Sequence, residues 1–493
     1  MNRIAELDHQ FVWHPFTQMR DWLKYEPIVI VSGRGSVLED IHGRQYLDAN
    51  SSIWTNLHGH AHPEINAAIS AQLAKISHSS HLGLASEPAS ILAKELIDLA
   101  RASAEESEAR REPRPTGRDG RPEAVTTGGR ETSTRRLAKV FYSDDGSTAM
   151  EVALKLAFQH DQRTKGKRPV SFISMDQAYH GDTIGAVSLG HIETFHAAYG
   201  PLLFSSEKVM SPYCYRCPFN RAKPERADAR VYRQCEFECV GKVEEKFAEL
   251  HGAGRPCAAL VVEPAMQGAA GMIPQPEGWL RRAAEIARGF GALLIADEVM
   301  TAFGRTGPIF ACEREEVSPD LLAMAKGLTG GYLPMAATLT TGEIFDAFLG
   351  EYSELKTFFH GHSYTGNQLG ASAALASLKL LREPAAELHR RALETAMTKE
   401  LSALWDLSAV GDIRQAGLVA GIELVRDWHT REPFRLDERV GIRVCEAMAR
   451  RGVLTRPVGN VIVLMPPYST TPDQLQQMAR AVYDAVDEVT RSQ

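Results

Sequence analysis

Lys326 stands directly after an apolar run and before a glycine-rich turn, in Met-Ala-Lys-Gly-Leu-Thr-Gly-Gly (324–331). An amine pressed into a partly desolvated site loses affinity for its proton, which suits it to condense with a carbonyl and to shuttle protons. The same lysine also fits a solvated strand end, where lysines usually lie. Three other stretches carry chemistry of a matching kind. In Ala-Leu-Leu-Ile-Ala-Asp-Glu-Val (292–299), Asp297 closes an apolar strand at the edge where open α/β sheets bind ligands. A carboxylate there could pair with a cationic ring nitrogen, or simply cap the next helix. In Phe-Tyr-Ser-Asp-Asp-Gly-Ser-Thr-Ala-Met-Glu-Val-Ala-Leu-Lys (141–155), a strand ends in a Gly-Ser pair that opens a helix. The free N–H groups of a first helical turn attract an anion. Gly146 allows close backbone approach, and the Ser147 hydroxyl can donate to a phosphate oxygen; an ordinary N-cap is the other reading. Finally, Gln-Ala-Tyr-His-Gly-Asp-Thr (177–183) offers Tyr179 either to lie over a planar ring or to pack within its loop.

These residues need a scaffold that brings strand ends to one edge. Short apolar runs at 140–142, 170–173, 258–262 and 293–296 read as strands with helical periodicity between several of them, and 321–325 leads into Lys326. That alternation predicts a mostly parallel sheet flanked by helices. After about Gly350 the pattern turns to helix and then to strands around 418–424 and 461–464, which predicts a smaller C-terminal α/β unit. Strand-like pieces also lie at 28–31 and 45–47. The predicted organisation is an N-terminal segment (1–75), a large ligand-binding domain (76–350) and a small domain (351–493). Residues 102–136 hold a single large aliphatic side chain, Val125, between a helix at 90–100 and a strand at 139–143. So little apolar surface cannot offset ordering entropy, which predicts a flexible insertion.

At 493 residues the chain exceeds one compact core, and 44% hydrophobic with 24% charged residues is an ordinary globular composition. A net charge of -7 with no long basic stripe argues against nucleic acid. No apolar run has the length of a membrane helix, and residues 1–10 are polar and mixed in charge, so a cytoplasmic location is expected. Seven cysteines without a leader pattern argue against a disulfide framework. Cys214, Cys217, Cys235 and Cys239 form a C-x2-C and a C-x3-C pair, a spacing that permits a tetrahedral metal. Reduced, partly buried thiols are the other reading. Since the chemistry above needs no metal, no metal ligand is assigned.

Taken in order, the phosphate turn, aromatic, strand-end aspartate and lysine resemble the class III, fold type I aminotransferases, which depend on pyridoxal 5'-phosphate (PLP). Val-Val-Glu-Pro-Ala-Met-Gln-Gly (261–268) and Asp-Glu-Val-Met-Thr-Ala-Phe-Gly-Arg-Thr-Gly (297–307) strengthen the likeness. Within the class the chain resembles the 7,8-diaminononanoate synthases of biotin biosynthesis. The motifs are Trp-His-Pro-Phe-Thr-Gln-Met (13–19), Ser-Ser-Ile-Trp-Thr-Asn-Leu-His-Gly-His (51–60), His-Gly-His-Ser-Tyr-Thr-Gly-Asn (360–367) and Leu-Thr-Arg-Pro-Val-Gly-Asn (454–460).

The resemblance implies that Lys326 holds PLP, that Asp297 pairs with the ring nitrogen and that Tyr179 stacks on the ring. Gly146 and Ser147 would bind the phosphate, joined by His362 and Ser363 from the other subunit of a homodimer. Arg456 would receive the carboxylate of 8-amino-7-oxononanoate, while Phe16, Ile53, Trp54, Tyr179 and Gly361 line the substrate site. Phe16 and Ile53 depart from the tyrosine and tryptophan common in members that take the amino group from adenosylmethionine. Neither a phenolic hydroxyl nor an indole face is then offered to a sulfonium, and both departures look more like the branch that uses lysine as donor. Asp145 stands where a serine is common, and beside a phosphate it would repel unless turned away. Two rivals remain open: another class III transaminase acting on an ω-amine, and a catalytically silent relative that keeps the fold.

Overall fold

The computed structural model describes residues 1–109 and 136–491. Its centre is a seven-stranded sheet of β1 (Leu137–Ser143), β2 (Ser171–Met175), β3 (Glu207–Val209), β4 (Cys257–Val262), β5 (Leu293–Asp297), β6 (Leu321–Met324) and β7 (Ala336–Thr341), in the order β1-β7-β6-β5-β4-β2-β3. Only β7 runs antiparallel to its neighbours. Every residue of β2, β4, β6 and β7 is buried, as expected for strands covered by helices on both faces. For that reason β4 and β6 read as continuous apolar runs rather than as alternations.

The helix Gly146–Thr164 lays Ala149, Met150, Val152, Ala153 and Leu156 against the sheet. On another side Trp279–Gly289 buries Trp279, Leu280, Ala283, Ala284 and Ala287. Each large apolar side chain removed from water in these layers contributes about 1.5–3 kcal/mol, which fixes the strand register against sliding.

Two smaller sheets flank this centre. Val410–Ala416, Val419–Asp427, Val461–Leu464 and Pro457–Val458 form an antiparallel sheet near the C-terminus. The hairpin between its first two strands turns at Gly417, whose φ of +57° and closeness to the Arg305 carbonyl leave no room for a side chain. Near the N-terminus, Ile30–Arg34, Val37–Asp40 and Gln45–Asp48 form a sheet completed in parallel by Val453–Leu454. The N-terminal and C-terminal parts of the chain are thereby hydrogen-bonded together.

One expectation is corrected. The helix predicted to end near residue 100 runs over Glu87–Ala109, so the first residues of the expected 102–136 excursion are helical. A run of Ala and Glu there carries high helix propensity, which outweighs the lack of apolar side chains. The rest of that expectation falls on 110–135, outside the described residues. Among the described residues no helix is long and apolar enough to cross a membrane.

Candidate active site

The C-terminal ends of β1, β2, β4, β5 and β6 meet at one edge of the sheet, and the chemically suited residues are found there. Asp297 is the last residue of β5, Glu263 follows β4, and Lys326 follows β6 after one residue. Tyr179 and His180 lie on the loop after β2, and Gly146 opens the helix after β1.

Asp297 is buried and receives two hydrogen bonds. Its Oδ2 lies 2.7 Å from His180 Nδ1, and its Oδ1 accepts from the Val299 amide at 3.1 Å. Burial alone would pull the His180 imidazole down, but the hydrogen bond and charge of Asp297 outweigh it and hold the pKa above its usual 6.5. Glu263 stands behind this pair, accepting from the Tyr179 amide at 3.1 Å and the Gly268 amide at 2.8 Å. Burial pushes Glu263 up to about 7, with the His180 charge opposing. His180 and Glu263 are residues of this candidate site that sequence reasoning missed. Both lie inside motifs already singled out, but their partners are far away along the chain.

Lys326 is half-buried, and its backbone holds a positive φ of 44°. Burial lowers its amine from the usual 10.5, against the opposing pull of the Asp297 and Glu263 charges. A neutral amine near neutral pH is the form that can add to a carbonyl. Its Nζ lies 4.9 Å from the centre of the Trp54 ring.

Trp54 reaches that place through an unusual backbone. Ser51, Ser52, Ile53 and Trp54 all have positive φ, from 46° to 73°, forming one left-handed turn without a glycine. Such a conformation costs roughly 1–2 kcal/mol per residue. Side chains offset the cost. Ser52 N–H donates to Asp48 Oδ1 at 3.0 Å and its hydroxyl to Oδ2 at 2.9 Å, the Ser51 hydroxyl donates to the Met465 carbonyl at 2.6 Å, and the Trp54 indole donates to Asn50 Oδ1 at 2.8 Å. The turn buries Trp54 among Met266, Met272, Met300 and Val463, and leaves the Ile53 side chain exposed.

At the other side of the cleft, Asp145 rather than Ser147 is the N-cap of Gly146–Thr164, accepting from Thr148 N–H at 2.9 Å. Its carboxylate is thereby bonded to the first turn of the helix, while its charge still reaches the Tyr179 hydroxyl. The amides of Gly146 and Ser147 keep no intrahelical acceptor. Ser147 Oγ accepts from Thr183 N–H at 2.9 Å and lies 2.8 Å from Thr183 Oγ1. A Cβ on Gly146 would sit 2.5 Å from Val299 Cγ1, and one on Gly181 (φ +119°) would overlap the Ser147 side chain. Both glycines are required for the loops to close this far.

The Tyr179 ring stacks on His196 (6.2 Å, 10°) and meets Phe195 edge-on, while its hydroxyl donates to Asp182 at 2.7 Å. Phe16 joins the same aromatic wall through Phe195, at 5.3 Å. The remaining expected residues lie apart. His362 Nδ1 is 3.6 Å from Asp144 Oδ2, and the Ser363 carbonyl is 2.8 Å from His78 Nε2. Gly361 and Arg456 are exposed, and Arg456 forms no ion pair among the described residues.

The family description Aminotransferase class-III matches residues 20–486. A relative from Geobacter sulfurreducens, named adenosylmethionine-8-amino-7-oxononanoate aminotransferase, is 45% identical over 488 residues, 99% of this chain and 98% of its own. One of the same name from Nitratidesulfovibrio vulgaris is 47% identical over 491 residues, covering 99% of this chain and 82% of its own. Among solved structures, the enzyme of that name from Methanocaldococcus jannaschii superposes with a TM-score of 0.84 at 38% identity over 98% of both chains. An amine transaminase from an uncultivated Pseudomonas species, solved with PLP bound, gives 0.83 at 30% identity over 97% of this chain and 98% of its own.

The chain belongs to the class III aminotransferases. It is a transaminase of the fold type I architecture, and its cofactor is pyridoxal 5'-phosphate. The residues present fit that group. A buried carboxyl group at Asp297, a lysine of lowered basicity, an aromatic wall and a cradle of two glycines with free helical amides supply one partner for each of its parts.

Proposed function

We propose that this enzyme transfers an amino group to 8-amino-7-oxononanoate, forming 7,8-diaminononanoate for biotin synthesis. The carrying observation is Lys326 placed between the Trp54 face and the charges of Asp297 and Glu263, at the end of β6. The names of the relatives at 45% and 47% identity support the substrate.

In this reading Lys326 anchors the cofactor through its amine. Asp297, fixed by His180, would pair with the ring nitrogen; the amides of Gly146 and Ser147 and the Ser147 hydroxyl would hold the phosphate; and Tyr179 would cover the ring. The bound cofactor supplies an electron sink for carbon–hydrogen cleavage and a carrier for the amino group. With the cofactor bound, the Lys326 amine would be placed to hold and move the proton of the donor's reacting carbon. His180 holds the Asp297 carboxylate in place at 2.7 Å, and the hydrogen bond and charge of Asp297 raise the imidazole pKa, which favours its protonated form. Arg456, exposed and without an ion pair among the described residues, can fork onto the acceptor's carboxylate. Trp54 lies against Lys326, and Ile53, Phe16 and Gly361, all exposed, would line the approach to it.

The enzyme is further proposed to act as a cytoplasmic homodimer, with His362 and Ser363 completing the partner's phosphate site. Segments 78–84 and 359–366 lie side by side, joined by His78–Tyr364 and Ser363–His78 contacts, and expose Leu82, Leu84, Phe359 and Tyr364. So large an apolar patch favours burial against another chain.

The donor has two readings. The relatives' names point to adenosylmethionine, whereas exposed Phe16 and Ile53 offer no hydroxyl and no indole to a sulfonium and favour lysine. Purified enzyme given 8-amino-7-oxononanoate with either donor decides this by mass spectrometry of the product. Diaminononanoate with one donor assigns it; no diaminononanoate with either, alongside turnover of other ω-amines, defeats the proposed substrate.

A further inference from the structure

The four cysteines set aside above are brought together by the fold. Cys214 opens a short 3-10 turn (Cys214–Arg216), and Cys239 lies in the first turn of the helix Glu238–Gly252. The ends of the intervening excursion are zipped to one another. Arg221 N–H donates to the Gln234 carbonyl at 3.0 Å, and Asn220 Oδ1 accepts from Gln234 N–H at 2.9 Å, next to Cys235. Asn220 also returns its side-chain amide to the Cys214 carbonyl at 3.0 Å. None of the four is in a disulfide.

Asn220 N–H donates to the Cys217 carbonyl at 3.1 Å, so Asn220 ties the backbone at Cys214, at Cys217 and at Gln234, next to Cys235. Cys235 Sγ accepts from Arg233 Nη1 at 3.2 Å. Four cysteines in a C-x2-C and a C-x3-C pair, with the two pairs tied together through Asn220, are the donor set of a structural zinc.

We propose that Cys214, Cys217, Cys235 and Cys239 bind one zinc ion as a tetrathiolate that clamps the two ends of the 213–240 excursion. Four thiols lose four protons and the ion gains four Zn–S bonds, with no change of oxidation state; the resulting double negative charge lies beside Arg233. In the structure the loops carrying the two pairs are tied together but the thiols are not yet ligands, since no group of three stands in coordination geometry among the described residues. Closure requires Cys235 to leave the Arg233 guanidinium. The clamp has a destination. Tyr213 and Arg216 both bond Glu423, Glu423 bonds Arg414, and Arg414 holds the Gly271 and Met272 carbonyls. Met272 packs in the same group as Trp54.

The test is metal analysis of the full-length enzyme purified without chelators. About one zinc per chain is expected, released when a mercurial blocks the thiols and absent from a Cys217→Ser/Cys235→Ser double variant. Because that variant can misfold, the unaltered chain is also stripped and titrated with cobalt(II). The intense visible bands of a tetrahedral cobalt tetrathiolate, abolished by added zinc, are expected. Iron with inorganic sulfide in place of zinc, or a cobalt spectrum without sulfur charge transfer, overturns the proposal.

Discussion

Replacing Asp297 with asparagine keeps the shape of the side chain and removes its charge. The new carboxamide would still satisfy both neighbours: its oxygen accepts from Val299 N–H, and its NH2 group donates to a neutral His180 Nδ1. A charged hydrogen bond becomes a neutral one, a stability change of only about 1 kcal/mol. The chemical loss is larger. At an effective dielectric of about 20, a cation about 4 Å from the carboxylate gains about 4 kcal/mol, which corresponds to about a thousandfold in rate. Asp297→Asn should therefore melt within a few degrees of the parent and still bind cofactor, yet convert donor about a thousandfold more slowly in single-turnover stopped flow. The His180 pKa should fall below 6.5, because burial then acts unopposed by that charge; histidine NMR reads this directly. A half-reaction within tenfold of the parent, in a variant that folds and binds cofactor, would refute the electrostatic role of this carboxylate.

Gly181→Ala must place a Cβ against the Ser147 side chain with φ near +119°, so it should lose roughly 2–4 kcal/mol of stability and retain cofactor poorly, as judged by melting with and without added PLP. Arg456→Ala should leave the melt almost unchanged, since the side chain is exposed and has no ion pair among the described residues, while raising KM for the carboxylate-bearing acceptor about a hundredfold with little change in the donor half-reaction. His58 is held down to about 3 from 6.5, chiefly by burial with help from His62 and Arg305. A depressed folded pKa means that its contribution is complete above pH 6.5 and is lost as pH falls toward 3, each pKa unit being worth about 1.4 kcal/mol. Denaturant melts at about pH 7.5, 5.5 and 4.5 should therefore show a steeper acid loss in the parent than in His58→Gln; equal slopes would remove His58 as the cause.

Much of the scaffold is legible in the chain itself because strands covered on both faces must be apolar throughout. The runs predicted at 140–142, 258–262, 293–296 and 321–325 lie on β1, β4, β5 and β6. Strand β7, Ala-Ala-Thr-Leu-Thr-Thr, was not legible: its threonines are buried, and Thr338 satisfies its hydroxyl on the Ala149 carbonyl at 2.8 Å, a partner visible only in three dimensions. The left-handed turn at 51–54 has no local signal either, since four residues with side chains occupy a region that glycine favours. Asp48, Asn50 and Met465 hold it there, and Met465 is 414 residues from Ser51. The site divides in the same way. Lys326 and Asp297 announce themselves by ending apolar strands, whereas His180 meets Asp297 across 117 residues and Glu263 meets His180 only through the sheet edge.

The most direct measurement concerns where the cofactor is attached. The purified enzyme is incubated with PLP, reduced with borohydride, digested and mapped by mass spectrometry. The account predicts a single phosphopyridoxyl group on the peptide carrying Lys326, absent from Lys326→Ala. Attachment at another lysine, or none in a folded enzyme that still transaminates, would contradict it.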